Sequence, residues 1–316
     1  MMTGMNAPTT AISQTSRQTS PQRRPTLQDW IALWIVKLAK LRRSSLNRPN
    51  DDDYDKFYEH FFEEKDLEAY DKDQRMVVRS QTIVDALRRF KNAPARVLDV
   101  GCGLGDVLAR IPEEYVLAGT DYAWNNVRIS GRRLAGRASI VRSSIYEMPY
   151  ASGSFDACLC LEVLEHIEDD IRAAKELTRI LKPGGILIAA VPYTYYWPQY
   201  LRLMGHFRHY TRESFSSLMS TAGLKVESYL PNFPRWHQRY TRRYAMIRSQ
   251  AMTFGRLFGR SSLYTFRWPW REQPALELLA DRLESVREED ARLDYSRQET
   301  STFLVARKPI AGESIS

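Results

Sequence analysis

The sequence predicts an α/β fold on a parallel, doubly wound sheet, with an N-terminal helical cap and a helical insertion before the last strand. Three observations predict it. Short apolar runs at 96–100, 116–120, 156–161 and 185–191 alternate with segments long enough for crossover helices. A helix pattern at 212–222, with Thr211 as N-cap and Gly223 as the glycine just past its end, leads into a further strand pattern at 224–230. About 70 residues then precede the closing strand pattern at 301–306, where a hairpin needs only a few, so an insertion interrupts the last strand pair.

The composition fits a globular chain. Its 316 residues are 43% apolar and 27% charged, enough to bury a core and too apolar for a fibrous or largely disordered protein. Cys102, Cys158 and Cys160 offer no disulfide framework, which favours a reducing, cytoplasmic setting. Cys158 and Cys160 are two apart and so point to one face of their strand. No apolar run approaches the roughly 20 residues of a membrane span, and residues 1–25 read as a solvated tail.

Charge then divides the chain. Residues 26–73 form the expected cap. Leu27, Trp30, Ile31, Trp34, Leu38 and Leu41 recur at helical spacing with Lys37, Lys40, Arg42 and Arg43 at the far end, and the acidic stretch 51–71 carries Tyr54, Phe57, Tyr58, Phe61 and Phe62. The core is expected over 74–230, beginning with a helix at 74–90 marked by Met76, Val77, Ile83, Val84 and Leu87. The insertion spans 231–298, the last core strand falls in 299–309, and 310–316 is a tail. Within the insertion, residues 235–271 hold no Asp or Glu and interleave Arg with aromatics such as Trp236, Tyr240 and Trp268.

The chemistry concentrates after the first strand. Asp99 sits in that strand, which runs into Gly101, Gly103 and Gly105, a turn that opens a helix and lets a ligand approach backbone N–H groups closely. Asp121 ends the second strand 20 residues after Gly101, where an acid can take both ribose hydroxyls of a nucleoside. Asp106 stands where a dinucleotide fingerprint wants Gly or Ala, which argues against a nicotinamide cofactor.

These residues resemble the class I S-adenosylmethionine-dependent methyltransferases, in particular their small-molecule and lipid group. The stretch Asp99 to Gly105 is similar to the first motif and Gly119-Thr-Asp121 to the second-strand acid. Residues 148–156 resemble the approach to strand four, and 181–185 the turn into strand five. The resemblance covers about 74–230 plus the final strand. It implies a Rossmann-like sheet of seven strands with S-adenosyl-L-methionine at the carboxyl ends of the first ones. Asp99, Gly101, Gly103 and Gly105 would then lie by the methionine part, Asp121 would hold the ribose, and Tyr122 would flank adenine. Where the family often carries an Asp for the adenine amino group, this chain has Ser144, implying a contact from Ser144 and Ile145.

Glu162, Glu165 and His166 follow the fourth strand. If helix begins there they share one face, and two carboxylates with an imidazole can bind a divalent cation such as Mg or act as acid and base. The pattern resembles that of metal-dependent ubiquinone-pathway O-methyltransferases and small-RNA 2′-O-methyltransferases, which add a later histidine. His206 matches it by its offset from residues 210–213. Solvated acids beside a hydrogen-bonded histidine fit the same pattern. His166, Glu162 and His206 are the catalytic candidates, and Glu162, Glu165, His166 and His206 the metal candidates. Arg208 and His209 are candidates for binding an anionic part of the substrate, and Arg208 equally suits bracing of the Tyr210 turn.

The expected acceptor is a hydroxyl on a small-molecule, lipid or lipid-linked substrate. The basic aromatic segments favour contact with an anionic membrane surface over nucleic acid, so a cytoplasmic protein peripheral to a membrane is expected. An RNA methyltransferase and a non-catalytic, cofactor-binding relative are the alternatives.

Overall fold

The computed structural model describes residues 74–90, 95–192, 206–232 and 302–310, with single positions at 64, 67, 71 and 312. The basic helix expected at 26–43, the acidic aromatic stretch apart from those single positions, and the insertion from 233 onward lie outside the described residues. Among the described residues, no helix is long and apolar enough to cross a membrane.

The first described helix, α1 (Gln74–Phe90), precedes β1 (Arg96–Val100). Then follow β2 (Val116–Asp121), α2 (Trp124–Arg133), β3 (Ala138–Arg142) and β4 (Phe155–Leu161). After these come α3 (Asp170–Ile180), β5 (Leu181–Ala190), α4 (Arg212–Thr221), β6 (Lys225–Pro231) and β7 (Thr302–Arg307). The seven strands form one sheet in the order β3-β2-β1-β4-β5-β7-β6. The first five run parallel, and β7 slots antiparallel between β5 and β6.

Strand alternation explains how both faces are covered. Leu98, Cys158, Leu187 and Leu304 point into one apolar cluster, filled by Ala173, Leu177 and Ile180 of α3 and Phe215 and Met219 of α4. Their neighbours Val97, Ala157, Ile186 and Phe303 point into the other, with Ile83, Val84 and Leu87 of α1. Cys158 and Cys160 are both free and buried in the first cluster. Because each face is covered by helix, the central strands read as unbroken apolar runs.

Local signals set the helix ends. Asp169 accepts from the Arg172 N–H at 3.0 Å to cap α3, and Thr211 and Ser214 form a reciprocal capping box on α4. Past the end of α4, Gly223 takes φ +89°, and Leu224 N–H donates to the Met219 carbonyl at 3.0 Å, as a left-handed helix terminus requires.

Two expectations change. Strand β3 was not among the strand patterns read from the sequence: its five residues (Ala-Ser-Ile-Val-Arg) lie at the sheet edge and are only partly buried. The glycine turn does not open an α-helix either. It runs through turns to a short 3-10 segment, Leu108–Arg110.

Candidate active site

The glycine turn leaves β1 at its carboxyl end, with positive φ at Gly101 (+73°), Gly103 (+53°) and Gly105 (+74°). Two of these are demanded by packing. A Cβ on Gly101 would stand 2.4 Å from Val163 Cγ2, and one on Gly105 2.7 Å from Leu134 Cδ1. Gly103 alone of the three faces open space, with nothing within 4 Å of a Cβ there.

The amides of this turn are already used inside the protein. Gly101 and Cys102 N–H donate to the Thr120 carbonyl at 2.8 and 3.0 Å, Gly105 N–H to the Cys102 carbonyl at 2.8 Å, and Gly103 N–H to Asp121 Oδ2 at 2.9 Å. The turn therefore offers close approach at Gly103, and those four N–H groups are not presented to a phosphate. Asp121 Oδ1 accepts from Ala123 N–H at 2.9 Å and from Asn126 Nδ2 at 3.1 Å. A carboxylate has about four acceptor positions. Gly103, Ala123 and Asn126 take three of them, and the Tyr122 backbone N–H also bonds to this carboxyl, so a ribose hydroxyl would have to displace or share one of these donors. Burial pushes the Asp121 carboxyl upward, against these hydrogen bonds.

Asp99 is buried beneath the turn, and burial, then the charges of Asp106 and Asp121, hold its carboxyl well above the usual range. Beside β2, Tyr122 is exposed, its ring faced by the Arg142 guanidinium at 5.6 Å. Ser144 Oγ accepts from Tyr146 N–H at 3.2 Å, and Ile145 is buried.

The residues after β4 do not begin a helix. Glu162 adopts φ +57°, the one left-handed non-glycine residue among those described, and its N–H donates to the Ala190 carbonyl at 2.8 Å. Leu164–His166 forms a 3-10 turn. This turn still gathers part of the expected set: ligand atoms of Glu165, His166 and His206 lie within 4.8 Å of one another. Glu162 is outside that group. It pairs instead with Arg79 of α1 at 3.1 Å.

Glu165 is 1% exposed, and its Oε2 has no hydrogen-bond partner. Burial, followed by the Glu162 charge, pushes its carboxyl well up. His206 is also buried, its ring 4.4 Å edge-on from that of His166 and its Nδ1 2.8 Å from His209 Nε2. Burial, then the neighbouring His166 and His209, hold the His206 imidazole well below its usual range, and burial lowers that of His209 to about 4. Buried neutral imidazoles accept a proton or a metal through the lone pair of one ring nitrogen. Arg208 binds Asp170 at 2.6 Å and the Glu168 carbonyl at 2.6 Å, and Tyr210 shares Asp170 at 2.8 Å. It braces the turn.

Sequence reasoning missed Arg79, and it offered His209 only for an anionic part of the substrate and not as a partner of His206. Arg79 sits in a helix whose pattern signals only core packing, so it carried no signal of its own.

A seven-stranded sheet with an antiparallel β7, a glycine turn after β1 and an acid ending β2 define the class I S-adenosylmethionine-dependent methyltransferase fold. The comparisons agree. Residues 98–189 match the family described as methyltransferase domain. A ubiquinone biosynthesis O-methyltransferase of Xanthomonas oryzae pv. oryzae is 38% identical over 108 residues, 31% of this chain and 44% of that protein. A ubiquinone/menaquinone biosynthesis C-methyltransferase of Geotalea daltonii is 31% identical over 113 residues, 33% of this chain and 48% of that protein. The matched region thus spans less than half the length of either relative. A proposed sarcosine dimethylglycine methyltransferase of Galdieria sulphuraria superposes with a TM-score of 0.50 at 17% identity, over 73% of this chain and 85% of that one, and shares the fold.

Proposed function

We propose that this protein transfers a methyl group from S-adenosyl-L-methionine to a hydroxyl of a small-molecule or lipid acceptor. The observation that carries the reading is the packing of Val163 against Gly101, which sets the Glu165, His166 and His206 group directly beside the glycine turn. The cofactor side and the proton-handling side are thereby neighbours across β1 and β4.

Bound there, S-adenosylmethionine supplies an electrophilic methyl group on a sulfonium. The open face at Gly103 would admit the ligand, and Asp121 would hold a ribose hydroxyl by exchanging one of its present donors. As the acceptor oxygen attacks the methyl carbon and the sulfur–carbon bond breaks, the hydroxyl proton passes to His166 or His206. The presence of these groups argues for catalysis and against a merely cofactor-binding relative.

The donor set also fits a divalent cation. The unpartnered Glu165 Oε2 and two imidazoles make one carboxylate and two nitrogen ligands, which suit a first-row transition ion such as Mn²⁺ or Zn²⁺ better than Mg²⁺. Glu165, His166 and His206 would hold it, and it would lower the pKa of the acceptor hydroxyl. A membrane-surface role for 26–43 and 235–271 belongs to the same proposal.

The test is transfer of labelled methyl from S-adenosylmethionine into extracts rich in quinone precursors and other phenolic lipids, with and without chelator. The reading expects a labelled product carrying an O-methyl group, lost in His166→Ala. Label on carbon or nitrogen would contradict the hydroxyl assignment. Transfer unchanged by chelator would remove the cation and keep the base.

A further inference from the structure

We infer that Asp71 is a positioning residue for the cofactor: it sets the two arginines that hold the glycine turn in its binding shape. The inference rests on the reading above, that S-adenosylmethionine occupies that turn. It adds a part of the chain that lies outside the matched residues 98–189.

Arg110 follows the turn in the short 3-10 segment, and Arg133 ends α2. Each spends one guanidinium nitrogen on the turn itself. Arg110 Nη1 donates to the Asp106 carbonyl at 2.8 Å, and Arg133 Nη1 to the Leu104 carbonyl at 3.2 Å. Between these two, the Gly105 carbonyl accepts from Ala109 N–H at 3.0 Å. Both arginines turn their other terminal nitrogen, Nη2, to Asp71. Arg133 donates to Asp71 Oδ1, and Arg110 lies 3.4 Å from the Asp71 carbonyl oxygen and 3.5 Å from Oδ1. One acid just ahead of α1 therefore joins two guanidiniums that reach the turn from two different elements.

A guanidinium is planar and rigid, so holding one of its nitrogens fixes the direction of the others. With Nη2 anchored on Asp71, the Nη1 donors stay aimed at the Leu104 and Asp106 carbonyls, the two that flank Gly105. Gly105 holds φ +74° against Leu134, the residue after Arg133, so a shift of Arg133 reaches the turn through packing as well as through its hydrogen bond. The open position, Gly103, is the residue just before Leu104.

Removing the Asp71 charge leaves Arg110 a competing acid. Its Nη1 is already 3.8 Å from Asp106 Oδ2, and without Asp71 the guanidinium is drawn from the Asp106 carbonyl to that carboxylate. Asp71 itself adds little to the core, since its side chain is 48% exposed. Its loss should therefore act on the turn and spare the fold.

Calorimetry with S-adenosylhomocysteine and hydrogen–deuterium exchange without ligand, both on the full chain, test this. Asp71→Asn keeps the shape and removes the charge. It should weaken S-adenosylhomocysteine about three- to tenfold and speed exchange in the peptide covering 101–110. The thermal midpoint, and exchange in 157–161 and 186–190, should stay as in the wild type. Asp71→Glu should recover part of the affinity. Arg133→Gln should weaken the ligand too, and adding Asp71→Asn to it should cost little more, because both act through one contact. An acid that only pins the chain ahead of α1 predicts otherwise: Asp71→Asn would lower the thermal midpoint and leave affinity and exchange at the turn unchanged. That result overturns the inference, as do losses from the two variants that multiply in full. Should Arg133→Gln not fold, the Asp71→Asn and Asp71→Glu pair decides alone. Wild-type protein that binds no S-adenosylhomocysteine would overturn the cofactor reading and this inference with it, whereas wild-type binding matched by Asp71→Asn overturns this inference alone.

Discussion

Glu165 shows how a functional position departs from what stability alone would select. Its carboxyl is buried, lacks a partner for Oε2 and is pushed well up by burial. The folded state holds this proton more tightly than the unfolded chain does. Stability from the group is therefore full below the unfolded pKa, about 4.3, and is lost as pH rises toward the raised value. Glu165→Gln should accordingly raise stability at pH 7.5 by about 1 kcal/mol or more, with the gain vanishing near pH 4, while methyl transfer falls. Denaturant midpoints at the two pH values check it, and equal midpoints for both proteins at pH 7.5 would refute it. Such residues were legible in the sequence because acids and histidines are rare in apolar strand ends. Arg79 was not legible, since a buried cation in an amphipathic helix looks like any other polar position until the strand ends are placed around it.

At the level of elements, most strands and helices were legible because their burial repeats with the period of the structure they form. β1, β4, β5 and β7 have core on both sides, so runs such as Val97–Leu98 and Ile186–Leu187 carry a strong signal. β3 has neighbours on one side only, and its partial burial hides it. Helical spacing would have put Glu162, Glu165 and His166 on one face had a helix begun after β4, whereas the left-handed Glu162 and a 3-10 turn bring Glu165 and His166 together by another route. β3 also depends on a connection that sequence cannot show. Arg137, just before it, donates to the carbonyls of Tyr115 and Ile111 at 3.1 Å each and of Pro112 at 2.5 Å, tying the α2–β3 turn to the approach to β2. Arg137→Met should cost about 1–3 kcal/mol by leaving these carbonyls unpaired, read as a lower thermal midpoint. A midpoint unchanged within error would show that water replaces the guanidinium.

For the molecule as a whole, one sheet between two apolar layers leaves its ligand edge at the carboxyl ends of the parallel strands, where β1 and β2 contribute the turn and the acid. The other half of the site comes from β4, one strand away on the opposite side of β1. The fold was readable from the sequence because its motifs recur in a fixed order along the strands, and the substrate was not, because none of those motifs specifies an acceptor. The proposed site puts a nucleoside over Gly103 with its sugar at Asp121. Hydrogen–deuterium exchange of the full chain with and without S-adenosylhomocysteine tests it most directly. The account predicts slowed exchange in peptides covering 99–106, 119–126 and 143–148, reduced by Asp121→Ala. Slowed exchange confined to other parts of the sheet, or none at saturating ligand, would contradict it.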